Sequence, residues 1–197
     1  MRTDSPVWAL INGGVCCLLG FGVSNMQLAD ILLENGAAQV RVYDKKSPEQ
    51  LGERALLLAE RGVEFHSGEN YLEGLAGDVI FRSPGFRPDK PEIAAAVANG
   101  AILTSEMELF FELCPCKIIA VTGSDGKTTT TTLIGEMLKK EGYTTYIGGN
   151  IGKPLLAEVE NMTDDDKVVL ELSSFQLFSM KHSADVAVVT NVTPNHL

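Results

Sequence analysis

Phosphate chemistry is concentrated in one short stretch of the chain, Gly123-Ser124-Asp125-Gly126-Lys127-Thr128-Thr129, which follows the apolar run Lys117–Thr122 and opens the helix-like segment Lys127–Glu141. A strand, a tight glycine loop and a helix start in that order turn backbone N–H groups and the positive end of the helix dipole toward one point, where an anion is stabilised. Lys127 at the helix start can reach the β- and γ-phosphates of a nucleotide, and the Thr128 hydroxyl is placed to bind Mg²⁺. The longer spelling of such loops, G-x-x-x-x-G-K-[ST], needs a glycine at position 121, where valine stands, so this is a shorter form of the turn. Glu171 sits in the otherwise apolar run Val168–Leu172. A carboxylate there is costly to bury alone, which points to a metal ion or another cation beside it.

A second glycine turn, Gly20-Phe21-Gly22-Val23-Ser24-Asn25, lies between an apolar run and a helical segment. Asn25 replaces the third glycine of the dinucleotide fingerprint, which weakens a nicotinamide or flavin reading. The Val23, Ser24 and Asn25 amides at the helix start can still receive a pyrophosphate. Asp44, followed by Lys45, ends the next apolar run, where an acidic side chain would reach a ribose or base edge, and Ser83-Pro84-Gly85 follows another. The alternative is a set of plain βα turns.

These residues need elements to hold them. Short apolar runs alternate with helical segments throughout, the pattern of an α/β protein with a mostly parallel sheet. Strands are expected at Val15–Gly22, Gln39–Asp44, Val63–His66, Asp78–Arg82, Ala101–Thr104, Lys117–Thr122, Thr144–Ile147, Val168–Leu172 and Val186–Asn191. Helices are expected at Ser24–Asn35, Pro48–Arg61, Lys90–Asn99, Ser105–Leu113 and Lys127–Glu141. Nine strands are many for one sheet, and a nucleotide-type βαβ unit starts twice, so the expectation is two Rossmann-like domains, residues 1–104 and 105–197. The last run ends without a closing helix, so the second domain, a phosphate-loop ATPase unit, is expected to be incomplete.

Composition excludes several roles. A net charge of -10 opposes nucleic-acid binding, so any phosphate must be held by local amides and a few cations. Cys16-Cys17 and Cys114-Pro115-Cys116 lack zinc-ligand spacing and read as reduced thiols of a cytoplasmic protein. The run from Trp8 to Val23 is interrupted by Asn12 and glycines and is not read as a signal segment, and no apolar run is long enough to span a membrane.

Gly123-Ser124-Asp125-Gly126-Lys127-Thr128 resembles the ATP loop of the Mur ligase family. Tyr146-Ile147-Gly148-Gly149-Asn150-Ile151-Gly152 and Asn191-Val192-Thr193-Pro194-Asn195-His196-Leu197 are similar to further segments of that family, and Glu171-Leu172-Ser173-Ser174-Phe175-Gln176-Leu177 to its D-glutamate-adding branch. The resemblance implies an ATP-dependent ligase that joins D-glutamate to UDP-N-acetylmuramoyl-L-alanine through an acyl phosphate, in cytoplasmic peptidoglycan precursor synthesis. It implies ATP and Mg²⁺ as cofactors and Gly123 to Thr129 as the ATP loop, with Lys127, Glu171 and His196 catalytic and Thr128, Glu171 and His196 at metal ions. It implies substrate contacts from Val23, Ser24, Asn25, Asp44, Lys45, Ser83, Pro84, Gly85, Asn150, Ser173, Gln176 and His196. The family's bridging lysine and its D-glutamate site have no counterpart in these residues, so the chain is expected to be a catalytically inactive monomeric fragment. Two other readings stand beside this one: a UDP-sugar or nucleotide-binding module without catalysis, and an NAD-dependent oxidoreductase built on Gly20–Asn25.

Overall fold

The computed structural model describes residues 1–2, 4–178 and 180–193, which fall into two compact units, Thr3–Leu109 and Phe110–Leu197 with Met1–Arg2. In the first unit the order is α1 (Pro6–Ile11), β1 (Val15–Leu19), α2 (Val23–Glu34), β2 (Gln39–Tyr43), α3 (Pro48–Leu51), α4 (Glu53–Glu60), β3 (Glu64–His66), β4 (Val79–Arg82), α5 (Pro91–Ala98), β5 (Ile102–Thr104) and the start of α6 (Glu106–Leu113). The strands form one parallel sheet in the order β3-β2-β1-β4-β5. The chain leaves β1 in one direction through β2 and β3 and then returns to its other side at β4. The reversal leaves a crevice at the carboxyl ends of β1 and β4, the usual place for a ligand in such sheets.

The second unit holds β6 (Lys117–Thr122), α7 (Lys127–Lys140), β7 (Thr145–Gly149), a 3₁₀ turn at Leu156–Asn161, β8 (Lys167–Glu171), α8 (Ser174–Leu177) and β9 (Val186–Val189). Its sheet is parallel in the order β7-β8-β6-β9, so β6 is flanked by β8 and β9 at the end where the glycine loop begins. All nine expected strands form, five in one sheet and four in the other.

Local chemistry accounts for the differences from expectation. Gly20, at φ 81, takes the chain out of β1 earlier than expected. The single helix expected over Pro48–Arg61 is two, because Gly52 at φ 98 breaks it. Two short helices carry signals in their caps: the Ser5 hydroxyl accepts from Trp8 N with Pro6 in the first turn of α1, and Ser173 and Gln176 form a capping box at α8. Asp166 is buried and accepts from Thr163 N at 2.9 Å.

The central strands of both sheets are buried and apolar, as parallel strands covered on two faces require. In the first unit Cys17, Leu19, Tyr43, Ile80 and Ile93 share one cluster. All four cysteines are free and buried, and burial pushes Cys16 and Cys116 up to about 12 and Cys17 to about 11. Cys114 is raised for the same reason. The thiols are therefore protonated at pH 8 and shielded. Ellman's reagent is expected to find no fast-reacting thiol in the native chain and four after denaturation, and rapid native labelling would contradict this packing. Among the described residues no helix is long and apolar enough to cross a membrane.

Candidate functional site

The phosphate loop leaves β6 at Thr122 and enters α7 at Lys127, as the sequence implies. The register of the sheet decides its surroundings. Val121 pairs with Glu171 of β8, and Gly149 of β7 pairs with the same Glu171, so the ends of three strands meet beside the loop. Asn150 N donates to Glu171 O at 2.8 Å, which holds the Asn150 side chain at the carboxylate.

Glu171 is 2% exposed. Its Oε2 accepts from the Thr128 hydroxyl at 2.7 Å and its Oε1 from Asn150 Nδ2 at 3.0 Å, both neutral donors. No cationic side chain pairs with it among the described residues. Two neutral hydrogen bonds offset only part of the cost of burying a carboxylate. The donor set, a carboxylate beside a hydroxyl at a phosphate loop, fits a hard divalent cation such as Mg²⁺. Among the described residues no three His, Cys, Asp or Glu side chains gather into a metal cluster, and Mg²⁺ requires few protein ligands when phosphate and water oxygens complete its shell. His196 lies outside the described residues.

The N–H groups of Gly126, Lys127, Thr128 and Thr129 donate to no partner among the described residues, and no side chain caps the helix. A Cβ at Gly126 would meet nothing within 4 Å, so open space lies over this cradle. Lys127 Nζ donates to Gly123 O at 2.8 Å and Ser124 O at 2.9 Å, holding its ammonium within the loop. These features fit a nucleotide polyphosphate. The Ser124 and Asp125 amides, by contrast, donate to Asn191, a residue whose role the sequence did not suggest. Ser173 and Gln176 bond to each other as the α8 cap.

In the first unit the crevice between β1 and β4 is closed by side chains. Asn25 is 1% exposed, and its Nδ2 donates to Gly20 O at 2.8 Å, Leu19 O at 3.2 Å and Ser83 Oγ at 3.1 Å. It ties the glycine turn to the Ser83-Pro84-Gly85 turn. Asp44 Oδ2 accepts from Phe21 N at 2.9 Å and Oδ1 from Lys46 N at 3.0 Å, bracing the same turn from β2. Asn25 and Asp44 thus hold backbone, whereas Val23 is exposed and Ser24 half-buried at the uncapped start of α2. Lys45, Tyr71, Gly85, Phe86 and Lys90 line a cavity of about 450 Å³ at the carboxyl ends of β2 and β4. Arg87 in its wall is paired with Asp89 at 2.6 Å, and Lys90 lies 5.7 Å over the Phe86 ring. Two lysines with no ion pair among the described residues, beside an aromatic wall, suit an anionic ligand carrying a flat ring.

Residues 15–92 match the family model described as the MurD N-terminal domain, and residues 121–197 that of the Mur ligase middle domain. The chain is 55% identical over 181 residues to the UDP-N-acetylmuramoylalanine--D-glutamate ligase of Clostridium kluyveri, an alignment covering 91% of this chain and 39% of that protein. The same figures hold for the ligase of that name from Clostridium botulinum strain Hall. The chain therefore spans 39% of the length of these curated relatives. Among solved structures, the UDP-N-acetylmuramate:L-alanyl-gamma-D-glutamyl-meso-diaminopimelate ligase from Neisseria meningitides is similar in fold, with a TM-score of 0.54 at 20% identity over 93% of this chain and 62% of that one.

Proposed function

Since the chain belongs to the Mur ligase family, we propose that it supplies the UDP-substrate-binding domain, residues 1–104, and the first part of the ATP-binding domain, residues 105–197, of a D-glutamate-adding ligase. The reaction is the ATP-dependent joining of D-glutamate to the carboxylate of UDP-N-acetylmuramoyl-L-alanine, a step of cytoplasmic peptidoglycan precursor synthesis. The observation that carries this reading is the buried Glu171 carboxylate hydrogen-bonded to Thr128 beside four loop amides that have no partner among the described residues. An oxidoreductase built on Gly20–Asn25 leaves that pair, and Lys127, without a purpose.

When bound, Mg²⁺·ATP supplies the phosphoryl group that activates the substrate carboxylate as an acyl phosphate. Carboxylate and phosphate repel, so the site must gather positive charge and oriented dipoles where the two meet. The amides of Gly126 to Thr129 hold phosphate oxygens, and Lys127 exchanges its two loop carbonyls for phosphate. Thr128 and Glu171 hold the cation. In the first domain the Val23 and Ser24 amides receive the substrate's diphosphate, and the Lys45 and Lys90 cavity receives the remainder of the nucleotide.

Calorimetry on this chain with Mg²⁺·ATP, UDP-N-acetylmuramoyl-L-alanine and NADH tests the proposal. Both the nucleotide and the UDP-sugar are expected to bind. Lys127→Ala is expected to weaken Mg²⁺·ATP by about 10- to 150-fold while the UDP-sugar affinity stays unchanged, because a charge-assisted phosphate contact contributes about 1.5–3 kcal/mol. NADH binding without UDP-sugar binding would overturn it.

A further inference from the structure

The exit of β9 hydrogen-bonds to every residue from Thr122 to Asp125 except Gly123, against which it packs. Thr190 N extends the ladder to Thr122 O at 2.9 Å, and its hydroxyl donates to Asp125 O at 2.6 Å. Asn191 makes a reciprocal pair with the Asp125 backbone: Oδ1 accepts from Asp125 N at 3.0 Å, and Nδ2 donates to Asp125 O at 3.1 Å. Ser124 N donates to Asn191 O at 3.0 Å. The Ser124 hydroxyl donates to Thr193 O and accepts from Thr193 N, both at 2.9 Å. Gly123 contributes by what it lacks. A Cβ there would stand 2.9 Å from Asn191 O and closer still to Thr190 Oγ1.

We propose that Asn191, assisted by Thr190, is a positioning residue that clamps the phosphate loop and so decides which of its amides face the phosphates. The inference rests on the nucleotide reading of the loop and goes beyond it. With its Ser124 and Asp125 N–H groups already donated to Asn191, the loop presents a cradle that begins at Gly126. Only an amide side chain carries a donor and an acceptor spaced to pair with both the N–H and the C=O of one backbone residue. The clamp also explains why an acidic residue is tolerated at 125. It uses the backbone of Asp125, whose side chain has no hydrogen bond or ion pair among the described residues. A loop missing the outer glycine of its longer relatives is thus held in shape by a neighbouring strand, and nucleotide binding need not order it.

The test compares wild type with Asn191→Ala, Asn191→Asp, Thr190→Val and Thr190→Ser. Amide hydrogen exchange without nucleotide reads the clamp itself, and calorimetry with Mg²⁺·ATP reads its consequence. Asn191→Ala is expected to speed exchange at Ser124 and Asp125 and to weaken Mg²⁺·ATP about fivefold, as loss of two exposed hydrogen bonds implies, with UDP-sugar affinity unchanged. Asn191→Asp should behave no better, since a carboxylate cannot donate to Asp125 O. Thr190→Val should show a smaller loss that Thr190→Ser restores, and this pair carries the comparison if the Asn191 variants do not fold. Unchanged exchange at Ser124 and Asp125, or faster exchange with full Mg²⁺·ATP affinity, would overturn the clamp. Failure of the wild type to bind Mg²⁺·ATP would instead defeat the nucleotide reading, while exchange still reports on the clamp.

Discussion

Gly123→Ala is expected to destabilise the second unit by about 2–4 kcal/mol, whereas Gly126→Ala, three residues along the same loop, should cost only about 1 kcal/mol. Both glycines have positive φ, 136° and 79°. Conformation alone therefore penalises both, and Gly126 less, because its φ lies in the left-handed region that other residues visit at modest cost. The neighbourhood separates them further. A methyl at 123 would run into Thr190 Oγ1 and the Asn191 backbone, whereas a methyl at 126 would enter open space. The Asn191 backbone continues a strand hydrogen-bonded to Thr122 and cannot withdraw without losing those bonds. The order should reverse in selectivity of damage. Gly126→Ala occupies the space proposed for phosphate, so it should lose Mg²⁺·ATP binding while remaining folded. Urea unfolding followed by circular dichroism, with calorimetry on each variant, checks both orders. Equal stability losses would contradict the packing at Gly123.

The sequence carried the strands because parallel strands buried on both faces must be short apolar runs, and runs such as Lys117–Thr122 have no other reading between a polar loop and a proline-containing turn. It carried the placement of Lys127, Thr128 and Glu171 because each is a polar or charged residue type at a strand end or helix start, a position that fits phosphate or metal chemistry. Asn25, Asp44 and Asn191 differ in kind. Each is a short polar side chain in a turn, equally able to meet a ligand or a backbone amide, and the choice depends on what another strand brings alongside. Asn25 meets Ser83, 58 residues away, and Asn191 meets Asp125, 66 residues away. Backbone partners have no side-chain signature, so no spacing pattern could have announced them. Asn150 is intermediate: it stands in a motif, but its tie to Glu171 follows from the pairing of β7 with β8.

Removing the charge of Glu171 should affect stability and binding in opposite directions. In Glu171→Gln the side chain keeps its shape and one acceptor for Asn150, and the Thr128 hydroxyl can accept where it formerly donated. What disappears is a buried charge with no cation among the described residues, so the metal-free protein should gain about 1 kcal/mol. Glu171→Leu removes the acceptors as well and strands the Asn150 amide and the Thr128 hydroxyl, which should cost about 1–3 kcal/mol for each group left unpaired. With Mg²⁺·ATP the order changes. A ligand at 100 times its dissociation constant stabilises the wild type by about 2.7 kcal/mol. Glu171→Gln should lose most of that gain, because even an indirect partner of a metal site contributes about 10–100-fold in affinity and a direct oxygen ligand should contribute at least as much. Thermal unfolding of the three proteins, with and without Mg²⁺·ATP, therefore yields two rankings. If Glu171→Gln melts below wild type without metal and still gains fully from Mg²⁺·ATP, Glu171 is an ordinary structural carboxylate satisfied by Thr128 and Asn150. If the rankings cross, its unpaired charge is stability given up in the empty protein and regained when the cation binds.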